Sequence, residues 1–234
     1  MHLQRTSVAL PAMLCSDFVD YVLKYHRAPS TLVICSTREA FLEDLQASVK
    51  NAQSENPSAS QITNEGTSQY DILVPTIHLI TKSQSIHIVF VPTLPHLRAF
   101  LATRVLVSNS GQATSTTTYS GSQSTLLAIW GLASLHRCTA EHSAQGLSRT
   151  LASAVETAAH GGDQLVLAES SSMQDGSGFE VTEGASSDPW KEQIPIFRGS
   201  VRFGGDERVW AGKTIEVARV IAKWCRFVRL DQRL

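Results

Sequence analysis

Apolar positions recur at helical spacing in four stretches of the chain and run almost unbroken in four others. Leu14, Phe18, Tyr21, Val22 and Tyr25 form one stripe over residues 13–26. Phe41, Leu42, Leu45 and Val49 form a second over 36–50, and Leu94, Leu97, Leu101 and Val105 a third in a helix opened by Thr93. Leu147, Leu151, Val155 and Ala158 form the fourth over 143–160, closed by Gly161-Gly162. Such spacing places each set on one helical face. The unbroken runs are Thr31–Cys35, Ile86–Val91, Thr125–Trp130 and Gln164–Ala168. Short continuous apolar runs alternating with helices are what a parallel sheet covered on both faces requires. The pattern predicts an α/β fold: a mainly parallel sheet flanked by helices. Residues 75–82 fit a short helix or a strand equally.

The C-terminal part changes period. Residues 196–203, 213–220 and 223–229 read as antiparallel strands, joined by GGDERVWAG and by a tight turn at Ile221-Ala222. A meander on the edge of the parallel sheet is the expected arrangement. Three polar tracts, near 51–69, 108–123 and 170–188, hold few large apolar residues. They read as surface loops, since they bury too little to offset the entropy of ordering. With 234 residues and no internal repeat, a single domain over 1–234 is expected.

Charge alters this picture. The chain carries a formal net charge of −1, with hydrophobic residues at 42% and charged residues at 18%. No overall field draws it to nucleic acid or membrane. The distribution is uneven, however. Residues 191–234 hold ten Lys and Arg against five Asp and Glu, a local +5, whereas the first 190 residues carry −6. Arg and aromatic residues interleave there, a combination suited to phosphate contact and base stacking, or to a charged, solvated edge. The candidate nucleic-acid contacts are Arg202, Lys213, Arg219, Lys223, Arg226 and Arg229. Strand alternation would put Lys223, Cys225, Phe227 and Arg229 on one face.

Several chemistries find no support. No run of about 18 apolar residues exists, so no transmembrane helix is expected. The N-terminal apolar stretch is broken by Pro11 and reads as a poor signal peptide. The four cysteines, Cys15, Cys35, Cys138 and Cys225, form no C-x-x-C pair, and a reducing compartment is expected. The first strand-to-helix turn, CSTREAF, has neither the glycines nor the lysine of a phosphate-binding loop, and Glu39 would repel phosphate. It suits an ordinary helix start capped by Ser36 or Thr37. Trp130 stands where a nucleotide fold places a Mg²⁺-binding aspartate. His136, Cys138 and His142 in HRCTAEH are the best metal-ligand types, but a fourth ligand is not evident. No G-x-S-x-G elbow and no G-x-G-x-x-G motif follows a strand. No catalytic residue, cofactor or metal is expected. The tryptophans Trp130, Trp190, Trp210 and Trp224 suit a core or an interface.

The succession of elements over residues 29–229 resembles a RecA-type ATPase core. TLLAIWGLASLH, then SAQGLSRTLASAVETAA and QLVLAE, resembles the Walker B strand, next helix and next strand of recombinase paralogues. PIFRGSVRF and KTIEVARVIAKWCRFV resemble the late strands. Both nucleotide motifs are absent, so the resemblance implies a three-layer RecA-like pseudo-ATPase rather than an enzyme. It is similar to subunits of the Shu complex, which assist homologous recombination. That likeness implies a nuclear, non-catalytic subunit paired with another RecA-like or SWIM-type protein and able to contact DNA. RecA-like subunits of the Elongator accessory ring, acting in tRNA modification, are the alternative, with a cytoplasmic location. An unrecognised α/β enzyme is a third.

Overall fold

The computed structural model describes residues 7–25, 29–55, 76–109, 125–171, 188–197 and 213–228. Five-residue parallel strands form its centre: β2 (Ser30–Ile34), β3 (Ile86–Phe90), β4 (Leu126–Trp130) and β5 (Gln164–Ala168). A two-residue β1 (Val8–Ala9) and β8 (Arg226–Phe227) complete a six-stranded sheet in the order β3-β2-β4-β5-β1-β8, parallel throughout. A separate antiparallel pair joins β6 (Gln193–Pro195) to β7 (Thr214–Glu216).

The alternation of side chains assigns each strand residue to one of two layers. Val33, Leu127, Ile129, Leu165 and Leu167 point to one face, where α4 (Leu94–Asn109), α6 (Ala144–Gly161) and α7 (Val217–Ile221) cover them. Leu32, Ile34, Leu126, Ala128, Trp130, Val166 and Ala168 point to the other. There α1 (Cys15–Tyr25) brings Phe18, Tyr21 and Val22, and α2 (Arg38–Glu55) brings Phe41. The expected stripes therefore turn inward at Phe18, Tyr21, Val22, Phe41, Leu94, Leu97, Leu101, Leu147, Leu151 and Ala158. Leu42, at 40% exposure, does not. The α6 helix begins on Ser143, whose hydroxyl accepts from Gly146 N, and ends on Gly162 at φ 68°. The left-handed conformation favours glycine there.

The α/β class and the parallel sheet are as the periodicity predicts; the C-terminal segment, β1 and α5 depart from it, and residues 77–83 take one of the two forms left open. The antiparallel meander does not form as expected. Residues 217–221 are helical, and β8 pairs parallel with β1. Val217, Val220 and Ile221 are buried together, so packing against α6 selects the helix over the alternating strand. Val8–Ala9 is a strand although two residues carry no period; both are buried between β5 and β8. Residues 77–83 resolve as the short helix α3, started by Thr76, whose hydroxyl accepts from Leu79 N. Its Lys82 ammonium donates to the carbonyl of Leu23 at the end of α1. Leu132–Arg137 forms the unexpected helix α5.

Most of the polar tracts lie outside the described residues, as do Arg202, Arg229 and the GGDERVWAG connection. Residues 51–55 nevertheless extend α2, and Ser170 bridges to Met13 beside β1. At the N-terminal rim of the sheet Arg104 ties two strands through Thr31 and the buried Asp163, which also accepts from Thr125.

Leu127 is fully buried at the centre of β4. Leu127→Ala is expected to lower stability by about 3 kcal/mol, the range for a core leucine. Denaturant unfolding measures it.

Candidate functional site

Counted from β2, the order β3-β2-β4-β5 is 2-1-3-4, the flavodoxin-type order of a doubly wound sheet. The helix after β2 lies on one face and the helices after β4 on the other. The chain thus diverges at the C-terminal ends of β2 and β4, where open α/β sheets bind their ligands. The residues there are Cys35 to Arg38 and Gly131 to Ser134.

The two turns are tied closely. Cys35 N donates to Trp130 O at 2.9 Å, and Gly131 N to Ala168 O at 2.9 Å. Gly131 has φ 80° and stands against Cys35, so it makes the sharp reversal from β4 into α5. In the β2–α2 turn Thr37 is the cap, its hydroxyl accepting from Ala40 N at 3.2 Å. Cys35 is buried and its thiol pKa is raised well above the usual range, first by burial and then by Glu169. A thiol so held stays protonated and is a poor nucleophile. Trp130 is buried and stacks on Phe18, with ring centroids 4.8 Å apart.

The first turn of α5 is already occupied. Glu169, immediately after β5, is 1% exposed. Its carboxyl accepts from Ala133 N at 2.5 Å, from Ser134 N at 3.3 Å and from Ser134 Oγ at 2.8 Å. Burial pushes its pKa up to about 7, against the lowering effect of those donors and of Arg137. The chain's own acid thereby takes the backbone donors that an anionic ligand would use. Sequence reasoning missed Glu169. The available signal was an acid placed directly after an all-apolar strand, in QLVLAE.

A second polar group surrounds α5 and the turn behind it. Buried His136 contacts Glu141 O through Nδ1 at 3.2 Å and Thr150 Oγ1 through Nε2 at 3.1 Å. Its pKa is lowered, chiefly by burial, so the ring is neutral and wedged between α5 and α6. Arg98 donates to both oxygens of Glu141, at 2.7 and 2.5 Å, and holds that carboxyl below its ordinary range. Arg137 donates to both oxygens of Glu192, and His142 Nε2 lies 3.3 Å from the same carboxylate. The metal-ligand types of HRCTAEH are therefore dispersed: His136 faces inward, His142 faces Glu192, and Cys138 is exposed. Among the described residues no group of three His, Cys, Asp or Glu could hold a metal ion.

The predicted basic residues that are described lie on or beside the β6–β7 pair, α7 and the edge strand β8. Lys213 is exposed just before β7, and Arg219 is exposed on α7 with Glu216 at 3.8 Å. Lys223 is exposed in the turn after α7, and Arg226 on β8. The expected strand face is not formed. Cys225 and Val228 are buried, while Lys223, Trp224, Arg226 and Phe227 are exposed, because a helix and turn replace the strand. No described helix is long and apolar enough to cross a membrane.

Glu169 gives a pH prediction. Its pKa is raised from 4.5 to about 7. Its contribution to stability is full below pH about 4.5 and is lost as pH rises through about 7. Relative to Glu169→Gln, the wild-type chain is expected to lose up to about 3 kcal/mol across that window, at 1.36 kcal/mol per pKa unit. Unfolding curves of both chains from pH 4.5 to 8 measure the difference; parallel pH profiles would contradict the assignment.

A family model described as SPAC22G7.03-like matches residues 1–230. No curated protein and no solved structure matches the chain.

Proposed function

The chain belongs to the SPAC22G7.03-like family, and we propose that it is a non-catalytic α/β subunit of a nucleic-acid repair assembly of the recombination-mediator type. In this reading it pairs with a RecA-like or SWIM-type partner and offers its basic C-terminal segment to DNA. The observation that carries the non-catalytic part is Glu169. At the sheet's divergence point this internal carboxyl holds the donors of α5. Thr37 caps α2 in a turn without glycine or lysine, and Trp130 packs on Phe18. Phosphate would meet a carboxyl on one side and Glu39 near the other.

The RecA-like part of the reading rests on the succession of elements along the chain. The strand order places β2 directly beside β4, as in flavodoxin-type sheets. The proposed role does not depend on that refinement. It needs a rigid α/β body, a silent ligand crevice and an accessible basic surface. Lys213, Lys223 and Arg226 supply the described part of that surface.

Two measurements test this. ATP with Mg²⁺ is expected to leave the melting temperature unchanged, whereas a ligand that binds the native state raises it. A clear rise would overturn the pseudo-ATPase assignment. The complex recovered on the tagged chain is expected to contain a RecA-like or SWIM-type protein and to bind DNA. Lys223→Glu with Arg226→Glu should weaken that binding and reduce the salt slope by about 2, roughly one for each phosphate that is no longer neutralised. An unaltered slope removes these residues from the interface.

A further inference from the structure

We propose that Lys223, Trp224, Arg226 and Phe227 form a site for single-stranded nucleic acid, with bases stacked on the two rings and phosphates met by the two cations. The proposal rests on the nucleic-acid reading above and specifies the form of nucleic acid taken.

The backbone of this segment is held from both ends. After α7, Lys223 N donates to Val220 O, and Trp224 N and Cys225 N donate to Ile221 O. On β8, Arg226 N donates to Ser7 O and Val228 N to Ala9 O. Cys225 and Val228 are buried as anchors, at 4% and 9% exposure. With those two turned inward, the four residues between and before them face out. Trp224 is 36% exposed and Phe227 is 39% exposed. Phe227 is steadied on its inner side by the buried Trp190, at 5.6 Å between centroids and 82° between planes. A ring already positioned loses little entropy when a base stacks on it.

The chemistry around the rings favours a polyanion. The exposed aromatic side chains among the described residues are Phe197, Trp224 and Phe227, all within the +5 segment. The exposed large aliphatics, Leu42, Ile77, Ile80 and Ile88, all precede residue 90. Within the site each ring has a cation beside it in sequence. Neither Lys223 nor Arg226 forms an ion pair among the described residues, unlike Arg219, which faces Glu216. Aromatic platforms next to Lys and Arg are the means by which proteins hold unpaired strands with little sequence preference. A duplex offers these rings nothing, since its bases are already stacked on one another. The site also lies at the outer edge of the sheet, where β8 is the last strand. DNA and RNA single strands share the chemistry of this site.

The test is fluorescence anisotropy of the full chain with labelled oligothymidylate, oligouridylate and a duplex of equal length. Single strands are expected to bind more tightly than the duplex. Trp224→Ala should weaken single-strand binding about ten-fold and leave duplex binding unaltered, while Trp224→Phe retains most of the affinity. Phe227→Ala should act in the same direction, with a melting curve to confirm that the chain stays folded without a ring against Trp190. Lys223→Ala with Arg226→Ala should weaken both forms and lower the salt slope. Preference for thymidylate or for uridylate supports the site and identifies its natural strand. If Trp224→Ala leaves single-strand affinity unaltered, or reduces duplex binding equally, the stacking site is overturned and the broader nucleic-acid reading stands. If the wild-type chain binds neither strand nor duplex, the stacking site is overturned, and the broader reading falls with it only if the complex recovered on the tagged chain also binds no DNA.

Discussion

Everything in this molecule depends on one constraint: a parallel strand covered on both faces has no solvent side. Leu126, Leu127, Ala128, Ile129 and Trp130 are all buried, and so are Ser30 through Ile34. Their amides and carbonyls are satisfied only by neighbouring strands, in unbroken five-residue registers from β3 through β2 and β4 to β5. Their side chains are satisfied only if helices stand on both faces. The two apolar layers that result are separate bodies of packing joined through the sheet. The polar ties lie at the ends: Arg104 with Asp163 at the N-terminal rim, and Glu169 with α5 at the other.

The Glu169 arrangement gives the C-terminal rim its character. Backbone donors at a helix start in an open α/β sheet normally serve a ligand. Here they serve a residue of the chain itself, whose pKa burial raises to about 7. The neighbouring groups are equally quiet: a protonated buried Cys35, a neutral His136 and carboxylates already matched to Arg98 and Arg137. These contacts hold α5 and α6 to the sheet. At the end of the described chain, the turn after α7 and the edge strand β8 leave Lys223, Trp224, Arg226 and Phe227 exposed.

This segment shows how packing overrides local pattern. Residues 213–220 and 223–229 alternate well enough to predict two strands. Val217, Val220 and Ile221 instead satisfy a helical face against α6, and the chain then turns so that only two residues can pair with β1. A strand would have put Cys225 and Phe227 on one side. The helix and turn separate them, one into the core and the other to the surface. Lys213, Arg219, Lys223 and Arg226 are accessible, while the side chains that accompany them differ from those that strand alternation selects.

The central elements were legible because their signals are local. Continuous apolar runs marked β2, β3, β4 and β5, stripes at helical spacing marked α1, α2, α4 and α6, and a Ser and a Gly-Gly bounded α6. The two-residue strands β1 and β8, the helix α7 and the role of Glu169 were not legible. Each depends on groups far apart in the chain: Val8 beside Val166 and Arg226, Val220 beneath α6, and Glu169 on the amides of Ala133 and Ser134. Hydrophobic periodicity determines which segments must be buried and in what form, because each helix or strand carries its own period. Strand order, the partner of a buried acid and the outward face of a short turn were decided by tertiary packing, because their energies exist only once distant segments meet.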